Sequence, residues 1–510
     1  MKNSDYQAAL RYHEGTKHPN GFLMNRAHFY SPELEPLKEK RYLDLEPIPL
    51  PDVPESGIPA LEAISADTLD AGHPVIPSFE TLASILNYSA GITKKISYPG
   101  HGTVYFRAAA CTGALYHIEL YLVCGNLQGL QAGVYHYNPF EHALILIRQG
   151  DFRNIPFQAS GNEPSLENAP ALLVYTDVFW RNAVKYQARE YRHAFWDSGT
   201  IIANTLSEAS AWKIPARLIT GFADDPINHL LDLNVEHEAA LALLSLGTGS
   251  GSVPIPASDI TPLNLRVQPI DEREVVFPVI TEIHTASSLA NPEEARAWRE
   301  KASSISFELP SPTKPIPLDP LGNEQEPHDS IEKVIRRCGS SRRFSQHPIS
   351  FQQLSTILVR STRGIPADFL RLYRPYLIAN QVEGLDSGTY VYHHAEEALE
   401  LLERGNLRYQ AGQLALGQAL AADAAVNIYF LADLQAILGA LGSRGYRAAQ
   451  LDAAVTAGKV YLCAYALGFG ATGLTFYDDA VIHLFSPHAE GLSVMFLIAL
   501  GVPFRKRGIS

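Results

Sequence analysis

The segment IRRCGSSRRF (335–344) sets four arginines beside two serines. Guanidinium groups next to serine hydroxyls suit a phosphate monoester, which accepts charge-assisted and often bidentate hydrogen bonds. Arg336, Arg337, Ser340 and Arg342 are therefore candidate anion ligands, the alternative being a solvated charged helix. A second candidate is the adjacent pair Lys185 and Tyr186 in VKYQAREYRHAFWDSG (184–199). Lysine beside tyrosine can serve as general base and acid where burial or a neighbouring positive charge lowers their pKa values. Otherwise the two are ordinary amphipathic surface residues. LGTGSGSVPIP (246–256) has the spacing GxGxG, but Pro254 and Pro256 follow where a helix would have to receive a pyrophosphate, so it reads as a loop after a strand. In HEGTKH (13–18) the histidines are five apart and would not share a helix face, so no metal is expected. The remaining histidines are scattered and read as surface or hydrogen-bonded core residues.

An internal repeat sharpens both candidates. GNLQGLQAGVYHYNPFEHALILIRQGD (125–151) recurs without a gap as NQVEGLDSGTYVYHHAEEALELLERGN (380–406), at an offset of 255, which also carries Tyr191 and Arg192 onto Tyr446 and Arg447. Upstream, PSFETLASIL (77–86) matches ISFQQLSTIL (349–358) at an offset of 272, so the second copy is 17 residues shorter between these anchors. The first copy holds a glycine-containing turn and strand there, FRAAACTGALYHIELYLV; the second has only TRGIPADFLRLYRPYLIA. Conversely, IRRCGSSRRF falls on the arginine-free AISADTLDAG, and Lys185 and Tyr186 fall on Ala440 and Leu441. Each copy keeps a segment the other has lost, as expected of one composite site between the halves of a fused homodimer.

The elements that must position these residues are helical at 78–90, 195–212, 350–361, 407–423 and 447–467, where apolar residues recur at three and four spacing. Strands are expected at 117–124, 171–176, 241–246, 426–432 and 493–500. The class is α+β, with a mixed sheet flanked by helices in each copy. The expected units are an extension (1–55), a first domain (56–252), a proline-rich connecting segment (253–327) and a second domain (328–510). The end of the connecting segment, LPSPTKPIPLDPLGNEQEPHD, reads as extended with little capacity for helix or sheet.

Composition, with 46% hydrophobic and 19% charged residues, is that of a folded globular protein, and a net charge of -13 argues against nucleic acid. The four cysteines show no CxxC spacing and read as free thiols in a reducing, cytoplasmic setting. The amino terminus lacks a secretory pattern, and the longest apolar run, GLSVMFLIALGVPF, falls short of the ~20 residues a bilayer requires.

Taken together, three segments resemble the FMN-dependent nitroreductase superfamily, and within it the azoline (thiazole/oxazole) dehydrogenases of streptolysin-S and microcin type. RYHEGTKH resembles the leader of that subfamily, RAAACTGALYHIELY its R-x-x-P-S-A-G-A-L-Y-P-x-E-x-Y segment, and GLQAGVYHY its G-L-x-P-G-x-Y-x-Y. The resemblance implies two tandem nitroreductase-like domains forming an intramolecular pseudo-dimer, with one FMN per chain at the two-fold interface. The family's Arg-x-Ser-x-Arg/Lys phosphate segment falls on Ser340 and Arg342. Cys338 stands where its first arginine belongs, leaving Arg337 or Arg336 to reach from earlier positions. The family's Pro-Ser turn, which contacts the flavin, falls on Ala110, Cys111, Thr112 and Gly113. ATGLTFYDD (471–479), including Gly473, resembles the segment near the flavin ring, and Arg505 would supply a terminal cation.

Lys185 and Tyr186 match the pair such dehydrogenases are thought to use in catalysis. The implied activity oxidises azoline-type heterocycles by hydride transfer to flavin N5, on a peptide or small-molecule substrate, alongside peptide-modifying enzymes. The alternatives are an NAD(P)H-dependent nitro or quinone reductase, or a flavin-binding, non-catalytic component of a peptide-modifying complex.

Overall fold

A computed structural model describes residues 2–19, 35–67, 72–98, 102–254, 260–307 and 309–504. Its frame is two seven-stranded sheets with the same order. The first runs Pro47–Pro49, Ala143–Gln149, Gly133–Asn138, Ile118–Cys124, Ala171–Val178, Glu238–Leu246, Ala216–Ile219. The second runs Pro315–Pro317, Ala398–Arg404, Gly388–His393, Arg374–Ala379, Val426–Ala432, Ser493–Gly501, Gly470–Gly473. The α+β class holds. Every pairing within these sheets is antiparallel, where a mixed sheet was expected.

The expected strands sit in the sheets, and the long apolar runs form central strands buried along their length. The connecting segment is more structured than its prolines suggest. It contains helices Pro278–Ala286 and Pro292–Ala302, and Pro315–Pro317 forms an edge strand in the register that Pro47–Pro49 takes in the first half. Proline lacks an N–H and is tolerated on an edge, where one side of the strand needs no ladder partner. The helix expected at 407–423 is split into Arg408–Leu414 and Ala419–Asp423, because Leu416 and Gly417 take left-handed φ of 57° and 73°.

Between the sheets lie two central helices, Glu190–Ala211 and Arg444–Ala466, buried on all sides. Glycines allow their close crossing: a Cβ on Gly199 would stand 2.4 Å from the Ala454 Cβ, and one on Gly458 2.6 Å from the Ala203 Cβ. Each of these contacts joins positions related by the 255 offset, so the helices cross on the pseudo-two-fold axis.

Reciprocal ion pairs fix the crossing. From the first half, Arg189 and Arg192 reach Asp478 of the second at 3.2 and 2.7 Å. From the second, Arg444 and Arg447 reach Asp224 of the first at 2.8 and 2.7 Å. Both aspartates begin helices, where an amino-terminal dipole favours negative charge. The segment RYHEGTKH closes the axis: the Tyr12 ring meets Tyr191 and Tyr446 edge-on at 5.7 Å each, and the His13 and Thr16 carbonyls accept from Arg192 and Arg189 at 2.6 Å. Among the described residues all four cysteines are free, and no helix is long and apolar enough to cross a membrane.

Removing one partner of such a buried pair costs about 3–5 kcal/mol. Asp478→Asn is expected to lose that much in denaturant unfolding. Burial alone would raise Asp224, but Arg444 and Arg447 hold its carboxyl down at about 2. Against an unfolded value near ~3.9, its contribution is intact above pH ~4 and is lost as pH falls towards ~2. An acid titration of unfolding should therefore show a loss in that window which is weaker in Asp224→Asn.

Candidate functional site

The turn between the 102–107 strand and Ile118–Cys124 is strained, with φ of 64° at Gly113, 55° at Ala114 and 52° at Tyr116. Left-handed backbone costs a non-glycine residue roughly 1–2 kcal/mol, so neighbours must over-determine it. Asp197 of the first central helix accepts from the Thr112 N–H (2.8 Å), the Thr112 hydroxyl (2.8 Å) and the Cys111 thiol (3.0 Å). Thr200 donates to the Ala110 carbonyl at 2.8 Å, and Arg181 to that of Tyr116 at 2.9 Å. Cys111 Sγ also accepts from the Tyr116 N–H at 3.1 Å. It thus donates and accepts as a serine hydroxyl would, and burial together with Asp197 pushes its thiol up, keeping the proton on sulfur.

Lys185 and Tyr186 end the helix Phe179–Tyr186, and Gln187 reverses the chain with φ of 51° before the central helix begins. They converge on the turn. A Cβ on Gly113 would meet Tyr186 Oη at 3.0 Å and Lys185 Nζ at 3.2 Å. Lys185 Nζ lies 5.3 Å from the Tyr186 ring centre, and the His193 ring packs edge-on against that ring at 4.5 Å. A cleft lined by Ala90, Ala110, Cys111, Tyr116 and Asp197 opens beside the turn.

In the second half, Cys338 ends the helix Ile331–Arg337 and turns into the core, which is why it cannot carry an arginine's charge. Arg336 pairs with Glu55 at 2.6 Å and donates to the Tyr88 hydroxyl of the first half at 2.5 Å; Arg337 pairs with Asp329 and donates to the Tyr465 carbonyl at 2.8 Å. Arg342 is exposed and pairs with no described residue. Ser340 bridges to Ala471, and Tyr461 of the second central helix accepts from the Gly473 N–H while its hydroxyl lies 3.5 Å from Ser340 Oγ. Ser340 and Gly473 are thereby brought together. Arg505 lies outside the described residues.

Among the described residues no hydrogen bond joins the turn to the arginine segment; the crossing helices connect them. Thr200, which holds Ala110, packs against Gly458, three residues before Tyr461. On the first-half side, Tyr88 meets Arg336 and Ala90 lines the cleft beside Cys111. The donor set of hydroxyl, exposed guanidinium and open backbone at Gly339, where an added Cβ would touch nothing within 4 Å, fits a phosphate group.

Sequence reasoning missed His117, which lies fully buried beneath the turn between Asp177 (2.6 Å) and Asp197 (2.8 Å). The signal was available: the 255 offset places Leu372, Ala432 and Gly445 where the first half has His117, Asp177 and Glu190. That is the same one-sided loss that marks Lys185 and Tyr186.

Gly113→Ala should cost about 1 kcal/mol in denaturant unfolding, because a side chain there meets both a left-handed backbone and the two site residues. Gly339→Ala should stay within about 0.5 kcal/mol. Equal effects would show that Lys185 and Tyr186 do not crowd the turn.

Residues 74–248 match the Nitroreductase family. Microcin B17-processing protein McbC of Escherichia coli is 29% identical over 161 residues, 31% of this chain and 59% of that protein. Trifolitoxin-processing protein TfxB of Rhizobium leguminosarum bv. trifolii is 31% identical over 193 residues, 36% of this chain and 52% of that protein. The chain thus matches between half and three-fifths of the length of these relatives. A crystal structure from Anabaena variabilis ATCC 29413, provisionally named a nitroreductase, superposes with a TM-score of 0.75 at 24% identity over 98% of this chain and 99% of its own, a likeness of fold across both halves. The 74–248 segment, which carries the strained turn and the Lys185–Tyr186 pair, is the part of the chain that matches the nitroreductase family.

Proposed function

We propose that this chain is an FMN-dependent oxidoreductase that dehydrogenates azoline-type heterocycles, built from units at 56–252 and 328–510 with one composite site between them. The observation that carries the reading is the convergence of Lys185 and Tyr186 on Gly113, in the half that keeps the turn and not in the half that has lost it. The processing roles in the names of McbC and TfxB support a peptide-borne substrate and peptide-modifying partners. Four free thiols suit a reducing, cytoplasmic compartment.

FMN, held at its phosphate by Ser340 and Arg342 with Arg336 and Arg337 behind them, and at its ring by the 110–113 turn and Gly473, would supply the two-electron acceptor. The remaining tasks fall to this chain's own side chains. Aromatising an azoline removes two hydrogens, one as a proton and one with its electron pair. Lys185 Nζ and Tyr186 Oη, held within about one hydrogen-bond length of the same point on the turn, take that proton and stabilise the ring nitrogen as charge shifts. The hydrogen bonds that tie Thr112 and Cys111 to the buried Asp197 keep the turn fixed while this happens.

Lys185→Ala is expected to retain flavin while azoline oxidation falls by roughly 10²–10⁴. Unchanged turnover would remove Lys185 from the mechanism, and flavin bleaching by NAD(P)H with no azoline oxidation in the native chain would favour a nitro or quinone reductase. Arg342→Ala should weaken FMN binding by about 10–150-fold, the loss of one charge-assisted contact, with the fold unaltered.

A further inference from the structure

Beneath the turn, His117 is enclosed by carboxylates from two elements: Asp177 on a central strand, and Glu190 and Asp197 on the first central helix. Its Nδ1 lies 2.6 Å from Asp177 and 3.5 Å from Glu190, and its Nε2 lies 2.8 Å from Asp197. An ionised carboxylate only accepts, so both ring nitrogens must donate. Both Glu190 oxygens and Asp177 Oδ2 are buried without a hydrogen-bond partner, and a proton on Glu190 beside Asp177 supplies the missing donor.

These groups could also hold a metal ion. Ligands about 2.1 Å from a tetrahedral ion lie about 3.4 Å apart, however, and contacts of 2.6 and 2.8 Å leave room for a proton only. Electrostatics agree. Burial alone would lower His117, yet Asp177, Asp197 and Glu190 hold it well above its usual value, while burial and then Asp177 raise Glu190.

The second half is a natural control. Leu372, Ala432 and Gly445 replace His117, Asp177 and Glu190, and the retained aspartate, Asp452, accepts from the Leu372 N–H at 2.8 Å. The second half thus keeps the same sheet order without the cluster, which accompanies the turn.

We propose that His117 is a positioning residue: donating from both ring nitrogens, it fixes Asp197 under Thr112 and Cys111 and joins the first central helix, which begins four residues after Tyr186, to the Asp177 strand, so that the turn and the Lys185–Tyr186 pair keep one geometry. Its effect on turnover rests on the function proposed above; its effect on the turn does not.

The test copies the second half into the first of the full-length chain: His117→Leu, Asp177→Ala and Glu190→Gly together, with hydrogen exchange followed at Thr112 and Tyr116. Expected are a melting temperature within a few degrees of native, retained flavin, exchange at least tenfold faster at those amides, and azoline kcat at least thirtyfold lower with KM within threefold. Unchanged exchange overturns the positioning role, as does a stoichiometric metal ion in the native chain that the variant lacks. Faster exchange with no azoline turnover even in the native chain leaves the role standing and overturns the proposed substrate instead. Should the triple variant not fold, Glu190→Gln, a neutral isostere, is expected to leave Thr112 exchange unchanged and Asp177→Asn to speed it; the reverse order overturns the proposal.

Discussion

Two buried aspartates, each gripped by a pair of arginines from the opposite half, hold the molecule in one arrangement. Asp224 with Arg444 and Arg447, and Asp478 with Arg189 and Arg192, are the same clamp seen from either side of the axis on which Gly199 meets Ala454. Buried charges this complete cannot separate without leaving an uncompensated ion in the core, so the halves keep a fixed relation. The proposed composite site depends on that constraint, because its parts come from different halves and, among the described residues, no hydrogen bond joins the turn to the arginine segment.

On this symmetric frame the candidate site residues are one-sided. The first half keeps the strained turn, Lys185, Tyr186 and the carboxylate cluster around His117; the second keeps the arginine segment and the bridge from Ser340 to Ala471. Residues that persist in both copies, Tyr191 with Tyr446 and Arg192 with Arg447, build the frame. Residues that persist in one copy gather at the turn and along the arginine segment. The replacement of serine by Cys111 fits the same division, since its sulfur makes both hydrogen bonds the turn requires.

Much of this was legible from the repeat. An ungapped match at 255 located the paired sheets, and its asymmetries pointed to Lys185, Tyr186 and the 110–113 turn. What escaped did so for physical reasons. The edge strands Pro47–Pro49 and Pro315–Pro317 lie in segments read as an extension and as an extended connecting segment, because proline obscures pairing that an edge permits. Asp224 and Asp478 are related by 254 and not 255, so their equivalence showed only once both were seen against arginines. His117 was one scattered histidine in sequence, since Asp177, Glu190 and Asp197 reach it only through the pairing of strand and helix. The helix expected at 407–423 broke at Gly417, where a left-handed residue interrupts an otherwise helical pattern.

The central claim is that a symmetric frame carries a single composite site. Its most direct test is the FMN content of the full-length chain saturated with FMN and freed of excess. One FMN per chain is the predicted result; two per chain, or none after reconstitution, would contradict it.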